Sequence, residues 1–323
     1  MKKVLYRTES FVSKFIAQII LAALVGYFAY ACGASFFSYN NLISIVRQVS
    51  TMGIAALGVS FLMITGNIDF SVGAMYAFVG VFTALLYSLG VNLFIAIPLG
   101  LIVCTLLSCF SCWLSITFRI SRLVVSMAMN MAVSGLGYII CDTKTIYGLP
   151  EGIKILGQGY IWIFPIPVVI FLALAVIVSF VLRRTYFGRY LFAVGGNETA
   201  ARLSGINVTK MLYLSSAISG ALAGFAGIIC MSRTFCGSPS VGGSMSMDVI
   251  SAAVLGGVSI MGGSGKTSGL VTGVLIMGIL NVGLNMMGMQ TNSQDVFRGI
   301  MMIVAVILDS RSKKISARQV AKE

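Results

Sequence analysis

One acidic residue stands inside an apolar part of the chain, where a charge is costly. Asp69 lies in the segment GNIDFSVG, residues 66–73, between two long apolar runs. A carboxylate near membrane depth normally faces protein or water, and the glycines around it permit an irregular backbone, which is tolerated only where it is buried or lines a cavity. Two interpretations stay open: Asp69 and Ser71 cap the helix that follows, or both residues, with Asn67, take part in gating or translocation.

Polar side chains recur at helical spacing inside other apolar runs. Spacings of three and four put each set on one helix face. Such a face could hydrogen-bond a polyhydroxy solute, or it could hold neighbouring helices together. The sets are Ser126, Asn130 and Ser134; Ser215, Ser216 and Ser219; and Asn281 and Asn285. The translocation candidates among them are Asn130, Ser134, Ser216, Asn281 and Asn285.

The long connection at residues 183–210 contains a compact helical pattern. The segment ETAARL, residues 198–203, favours a helix that Gly205 can end. We expect a short helix on the membrane surface, with Glu198 and Arg202 on one face and the small Ala200 and Ala201 exposed. The segment is either a plain connector or, as we favour, a docking site for a soluble partner. The residues expected to contact that partner are Gly196, Asn197, Glu198, Ala201, Arg202 and Gly205.

The segment IMGGSGKT, residues 260–267, looks like a phosphate-binding loop but departs from its pattern. That pattern needs a glycine, four residues and then Gly-Lys-Thr, and Ile260 stands where the first glycine belongs. The segment also joins two apolar runs, whereas the phosphate-binding loop joins a strand to a soluble helix. We therefore expect a tight glycine turn with Lys266 on the cytoplasmic side, and no nucleotide bound by this chain.

The composition indicates a membrane protein. Of the 323 residues, 58% are hydrophobic and 10% are charged, whereas soluble domains carry roughly 25% charged residues. The sequence predicts an all-α integral membrane protein, a polytopic bundle of about ten transmembrane helices. It forms a single domain over residues 1–323, with residues 15–309 in the membrane region. The expected spans are 15–32, 50–65, 70–89, 91–114, 123–141, 160–182, 211–231, 248–262, 268–288 and 296–309.

The basic charge indicates topology. The net charge is +13, and with a cytoplasmic N-terminus most of the Lys and Arg residues fall on inward-facing segments, as cytoplasmic loops require. Both termini are then cytoplasmic, residues 183–210 face inward, and residues 310–323 form a basic tail that faces anionic lipid. Nucleic acid is not an expected partner. Glycines spaced along helix faces, at 220, 224 and 227 and at 269 and 273, predict close helix packing.

The chain has no histidine, which removes His-dependent hydrolase, metal and proton-relay sites. We expect no catalytic residue, no metal site and no enzyme activity. The alternative to an ATP-driven transporter is an ion-coupled secondary transporter or channel that acts alone. It would need buried acids or histidines, and only Asp69, Asp248 and Asp295 lie near spans, all at their ends.

Three segments together resemble a known family. GNIDFSVG, FGRYLFAVGGNETAARLSGI and DVISAAVLGGVSIMGGSG resemble, in order and spacing, the signature segments of ribose-type permeases, the membrane subunits of ATP-binding-cassette importers for monosaccharides. The resemblance covers residues 40–309. Asn67 and Phe70 stand where the family usually has Gly and Leu, and Ser134–Gly135 stand where it usually has Arg-Gly.

The resemblance implies partners that composition alone does not. Two permease subunits would pair, identical or different, and a cytoplasmic ATPase would dock on each. An extracytoplasmic binding protein would deliver a ribose-like monosaccharide, or a related polyol or furanose. Residues 196–205 would match the family's coupling segment. ATP would be bound by the ATPase, so no cofactor is expected on this chain, which would lie in the bacterial inner membrane.

Overall fold

The computed structural model describes residues 2–320, with side chains from residue 17 to 307 and at Ser310. The structure is 80% helical, which confirms the all-α prediction. The tail predicted at 310–323 continues the last helix as far as Val320, and residues 321–323 lie outside the described part. In chain order the helices are α1 (Lys2–Cys32), α2 (Tyr39–Ile64), α3 (Val72–Ser88), α4 (Leu93–Phe118), α5 (Arg122–Ile140), α6 (Lys154–Gln158), α7 (Ile166–Arg184), α8 (Tyr186–Gly196), α9 (Glu198–Leu203), α10 (Val208–Thr234), α11 (Met245–Leu255), α12 (Thr267–Met286) and α13 (Thr291–Val320).

Seven helical segments in the described part are long and apolar enough to cross a membrane. The prediction of a helical integral membrane protein is therefore confirmed, whereas a bundle of about ten spans is not. Helix α3 has 17 residues and α11 has 11, which is short for a span, and α13 is not among the seven. The seven segments are Ala17–Phe37, Tyr39–Ile64, Leu93–Phe118, Arg122–Ile140, Ile166–Arg184, Val208–Thr234 and Thr267–Met286.

The span expected at 160–182 begins later than predicted. Residues 160–165 form a β-hairpin in which β1 (Tyr160–Ile161) pairs antiparallel with β2 (Phe164–Pro165), with Ile161 opposite Phe164. Helix α7 starts only at Ile166. Proline has no backbone N–H and fits best in the first turn of a helix. Helix α7 accordingly starts beside Pro165 and Pro167 and does not extend back through them.

Helices α2, α10 and α12 form the buried centre of the bundle. Glycine allows close approach there, as predicted for the glycine faces. A Cβ on Gly227 of α10 would lie 2.2 Å from the carbonyl oxygen of Tyr76 in α3. A Cβ on Gly273 of α12 would lie 1.9 Å from the carbonyl oxygen of Ala252 in α11. Backbones in such contact gain van der Waals packing, which holds helices together in lipid.

The peripheral helices α4, α5 and α7 turn large apolar side chains outward. Phe94, Met131 and Val176 are examples, one from each helix. Exposed apolar surface on this scale marks an interaction with lipid or another protein. The bundle thus presents apolar side chains on its outer surface, as expected of a membrane-embedded protein.

Candidate functional site

Asp69 is buried in the non-helical loop between α2 and α3, residues 65–71, which we call the Asp69 loop. Its Oδ1 accepts a hydrogen bond from the backbone N–H of Ser71 at 2.8 Å and another from the Ser71 hydroxyl. The hydroxyl of Ser71 therefore binds the carboxylate and does not cap α3. Asp69 itself closes a local turn immediately before the helix, a role typical of aspartate.

The second oxygen of Asp69 faces a buried arginine on α5. Arg122 Nη2 lies 3.3 Å from Asp69 Oδ2, and the two side chains are 4% and 1% exposed. The Nε and Nη1 atoms of Arg122 are also buried and have no hydrogen-bond partner among the described residues. A buried charge is stable only when it is compensated. The Asp69 carboxylate supplies that compensation for Arg122.

The Asp69 loop is held from two sides. From α5, the Ser126 hydroxyl accepts a hydrogen bond from the backbone N–H of Phe70 at 3.1 Å. From α11, the Ser246 hydroxyl donates to the carbonyl oxygen of Phe70 at 2.5 Å and accepts from the N–H of Gly73 at 2.8 Å. A shift of either helix would therefore act directly on the Asp69 loop.

Sequence reasoning missed Arg122, although a signal for it was present. Arg122, Ser126, Asn130 and Ser134 follow at intervals of four and so share one face of α5. The predicted polar set of α5 thus extends back by one turn to the arginine. Asn130 and Ser134 are half-buried on this face, at a distance along the helix from the Asp69 loop.

The helix predicted at residues 198–203 is present as α9 (Glu198–Leu203). Asn197 caps it, since its Oδ1 accepts a hydrogen bond from the N–H of Ala200 at 3.0 Å. Glu198 Oε1 and Arg202 Nη2 are 2.9 Å apart, with 59% and 68% of their side chains exposed. These two residues therefore offer a charged surface that a partner can reach.

The expectation that both alanines of α9 are exposed is wrong for Ala201. Ala200 is exposed, whereas Ala201 is buried and its methyl group packs into the main apolar core. Ala201 thus fixes α9 to the bundle and offers no contact surface to a partner in this structure. Gly196 is exposed, and Gly205 follows the helix with φ +82°, a backbone that favours glycine.

Four glycines, which we call the glycine junction, bring three backbone segments together: Gly66, Gly195, Gly262 and Gly263. The N–H of Gly263 donates to the carbonyl oxygen of Ile64, the last residue of α2, at 2.9 Å. A Cβ on Gly195 in α8 would lie 1.8 Å from that same oxygen, and a Cβ on Gly262 would lie 2.6 Å from the backbone nitrogen of Gly66. The α8–α9 segment therefore touches Ile64, the residue immediately before the Asp69 loop.

The glycine turn predicted from IMGGSGKT is confirmed. Gly262 and Gly263 have φ values of +85° and +73°, and the N–H of Ser259 donates to the carbonyl oxygen of Ser264 at 3.0 Å across the turn. Lys266 is exposed. The turn supplies backbone contacts to the glycine junction.

A second buried polar group, which we call the Asp248 cluster, joins α11, α12 and α13. Asn281 Nδ2 donates to Asp248 Oδ2 at 3.0 Å, and Arg298 Nε donates to Asn281 Oδ1 at 3.0 Å. Arg298 Nε also lies 3.2 Å from Asp248 Oδ1, an ion pair without hydrogen-bond alignment. Arg298 Nη1 pairs with the more exposed Asp295 at 2.7 Å. Of these residues, the sequence had indicated only Asn281 as a translocation candidate. The others were not recognised because they come together only in the folded chain and share no local sequence pattern.

The remaining candidates lie at separate places. The hydroxyl of Ser216 donates within α10 to Leu212, and its carbonyl oxygen accepts from Ser108 of α4 at 2.8 Å, which favours helix stitching. Asn285 Oδ1 accepts from Gln294 at 2.7 Å. Asn67 donates to Thr65 and lines a cavity of about 100 Å³. The structure thus brings the candidates to several places along the bundle and not to one site.

Comparison with known proteins identifies the family. The family described as branched-chain amino acid transport system / permease component matches residues 41–306. The chain belongs to this family. This permease is 34% identical over 300 residues to the ribose import permease protein RbsC of Haemophilus influenzae, covering 92% of each chain. It is 35% identical over 310 residues to RbsC of Bacillus subtilis, covering 95% of this chain and 94% of the relative.

A further relative is the L-arabinose transport system permease protein AraH of Escherichia coli, 34% identical over 280 residues, with 87% of this chain and 85% of the relative covered. No solved structure shows significant similarity to the permease. These matches confirm the resemblance seen in the three sequence segments. The permease is a multi-pass inner-membrane protein whose relatives are transport subunits and not enzymes.

Proposed function

We propose that this permease is the membrane-spanning subunit of an ATP-driven importer of a sugar, a ribose-like monosaccharide or a related polyol or furanose. The observation that carries the proposal is the match, over nine-tenths of the chain, to permeases named for ribose import. The match to an L-arabinose permease covers nearly as much. The family description names branched-chain amino acids, but the permeases named for ribose and L-arabinose are matched along most of their length.

The proposed assembly contains three kinds of partner. A cytoplasmic ATPase binds and hydrolyses ATP, an extracytoplasmic binding protein delivers the sugar, and a second permease subunit, identical or different, completes the pathway. This chain needs no cofactor of its own and carries out no covalent chemistry. The exposed Glu198–Arg202 pair on α9 supports the docking of the ATPase at the α8–α9 segment.

We propose about ten spans with both termini in the cytoplasm. Seven helical segments have the length and apolarity of spans. Helices α3, α11 and α13 would complete the set, with the short α3 and α11 extended by their flanking loops. This arrangement keeps the basic 183–210 connection and the basic tail on the cytoplasmic side, as the distribution of Lys and Arg favours.

The glycine junction supplies a route from the ATPase to the pathway. A movement of α8–α9 would push on the carbonyl oxygen of Ile64, because Gly195 leaves no space between them. Ile64 leads into the Asp69 loop, which α5 and α11 hold through Arg122, Ser126 and Ser246. ATPase closure could thus shift α5 and α11 relative to α2, and so favour one of two helix packings.

The translocation pathway is proposed to use polar faces of the bundle. Asn130 and Ser134 of α5 lie on the same face as Arg122, while the Asp248 cluster contributes Asn281. Amide and hydroxyl groups can exchange hydrogen bonds with sugar hydroxyls as the solute passes. In this scheme Asp69, with Asn67 and Ser71 beside it, acts in gating and does not bind the sugar directly.

Replacing both Glu198 and Arg202 with alanine tests the coupling role. The pair is exposed, so its loss should cost only about 0–1 kcal/mol of stability. Sugar uptake should nevertheless fall, and so should co-purification of the ATPase. The matched control is the double alanine variant of Asp142 and Lys144, an exposed ion pair in another connection, which should transport normally. Normal uptake and normal ATPase binding by the Glu198/Arg202 variant would disprove the docking proposal.

Cysteine labelling tests the orientation. In a variant without the native cysteines, a cysteine at position 197 should resist a membrane-impermeant reagent in intact cells and react after lysis. A cysteine at position 144 should react in intact cells. Labelling of position 197 in intact cells would overturn the orientation.

The alternative, a secondary transporter or channel acting alone, is not favoured by the family match. The two classes differ in their energy source. Uptake by the proposed importer should disappear when the ATPase is inactivated and should persist when ion gradients are collapsed while ATP is maintained. The opposite result would favour the alternative.

A further inference from the structure

The β-hairpin before α7 carries apolar side chains that no other part of the described protein covers. Trp162 is 94% exposed, Ile163 is 69% exposed and Phe164 is 62% exposed. Trp162 also adopts φ +62° at the turn, a backbone that a bulky residue rarely adopts. A small polar residue would suit such a turn better, so the structure places a large aromatic group at the tip against local preference.

The length of α7 fixes the depth of this hairpin. The helix has 19 residues, and at about 1.5 Å per residue it is about 28 Å long, close to the hydrocarbon thickness of about 30 Å. Arg183 and Arg184 end the helix and mark one boundary of the hydrocarbon. The first residue, Ile166, must then lie at the other boundary, and the hairpin directly before it must lie in the headgroup layer.

The chemistry of the segment suits that layer. No charged residue occurs between Lys154 and Arg183, so nothing opposes contact with lipid. The backbone groups of Trp162 and Ile163 form no hydrogen bond within the described structure, so they need water and cannot enter the hydrocarbon core. Trp and Tyr are enriched at this interface because their rings are amphipathic.

We propose that Trp162, Ile163 and Phe164 insert into the lipid headgroup layer beside α7. They would anchor the segment before the hairpin, which contains α6 (Lys154–Gln158), to the membrane surface. That segment is fixed to the bundle at several points. Gln158 Nε2 donates to the carbonyl oxygen of Arg233 in α10 at 2.9 Å, and Arg47 of α2 donates to the carbonyl oxygen of Gln158 at 2.6 Å. The anchor therefore joins α2 and the end of α10 to the bilayer. The proposal goes beyond the transport function and does not depend on the solute.

Tryptophan fluorescence tests the proposal, because the chain has only two tryptophans, Trp113 and Trp162. The full-length Trp113→Phe variant is reconstituted in phosphatidylcholine vesicles, which leaves Trp162 as the reporter. Its emission should be blue-shifted relative to tryptophan in water. Lipids brominated near the headgroup should quench it more strongly than lipids brominated near the chain ends, and aqueous iodide should quench it weakly.

The Trp162→Phe variant, which keeps Trp113 within α4, is the control for the brominated lipids. Subtracting the emission of this control from the wild-type emission also gives the Trp162 signal. This second measurement keeps the test valid if the Trp113→Phe variant folds poorly. Water-like emission with strong iodide quenching and no effect of brominated lipid would overturn the proposal. The proposal would also be overturned if Trp162 became protected from iodide only when the extracytoplasmic binding protein is added. The hairpin tip would then be a protein-docking surface. Stronger quenching by the deep bromines would place the tip in the hydrocarbon and overturn it as well.

Discussion

Replacing Asp69 with asparagine separates the two roles that this residue can have. Asparagine keeps an oxygen that can accept the hydrogen bond from the N–H of Ser71, so a purely local turn should survive. The change removes the negative charge beside Arg122, which the fold buries. Any loss of stability or transport in this variant therefore reports on the charge.

The structure sets the size of the expected effect. Two unit charges 3.3 Å apart attract by about 5 kcal/mol at an effective dielectric constant of about 20. The desolvation of both groups offsets much of this energy, but removing one partner leaves the other buried and uncompensated, which costs about 3–5 kcal/mol. The contact is longer than the ~2.7–2.9 Å of a strong charge-assisted hydrogen bond. We therefore expect Asp69→Asn to lower the free energy of unfolding by about 3 kcal/mol, the low end of that range.

The assay pairs denaturant unfolding in detergent with sugar uptake. Arg122→Gln should destabilise the permease about as much as Asp69→Asn. The double variant removes both charges and should recover most of the stability, since replacing a whole buried pair is often nearly neutral. If the charge pair switches the helix packing, uptake by this folded double variant should stay low. Wild-type stability and wild-type uptake by Asp69→Asn would refute the reasoning and leave Asp69 with its local turn alone.

Two further substitutions test the other contacts. Gly195→Ala forces a Cβ against a backbone carbonyl of α2. It should lower the free energy of unfolding by about 1–3 kcal/mol and impair uptake. The control is Gly196→Ala, whose Cβ meets nothing within 4 Å and which should keep wild-type stability; an equal loss of stability in the two variants would contradict the glycine junction. Arg298→Met leaves the Asp248 carboxylate buried without a cation and should cost about 3–5 kcal/mol in the same unfolding assay, while Asp295→Asn, at the exposed partner, should cost less than about 1 kcal/mol.

Much of the fold followed from local patterns. Apolar runs of about 20 residues predicted the long helices, and the segment at 198–203 predicted α9 with its bounds unchanged. The span predicted at 160–182 failed at its start, because hydropathy does not distinguish an apolar hairpin from an apolar helix. Pro165 and Pro167 were the missed signal, since proline favours the first turn of a helix and removes a hydrogen bond farther inside it.

The site was less predictable for a different physical reason. Asp69 was recognisable because an acid is conspicuous in an apolar stretch. Its partner Arg122 looked like one more cytoplasmic arginine of the topology pattern, and only the four-residue spacing to Ser126 distinguished it. Ala201 was expected to be exposed because a six-residue helix has no reliable periodicity from which to choose its buried face.

Two buried polar clusters, the Asp69–Arg122 pair and the Asp248 cluster, act together with the glycine junction. They suggest how a chain with few charges can switch between two states. A buried ion pair adds little net stability but makes its own breakage costly, so each cluster favours one discrete helix arrangement over intermediate ones. Glycine contacts transmit displacement well because backbone meets backbone with no flexible side chain between them. In this permease Gly195 contacts Ile64, the last residue of α2, which directly precedes the Asp69 loop. A push of a few tenths of an ångström at the α8–α9 segment would therefore act directly on the loop that carries the Asp69–Arg122 pair.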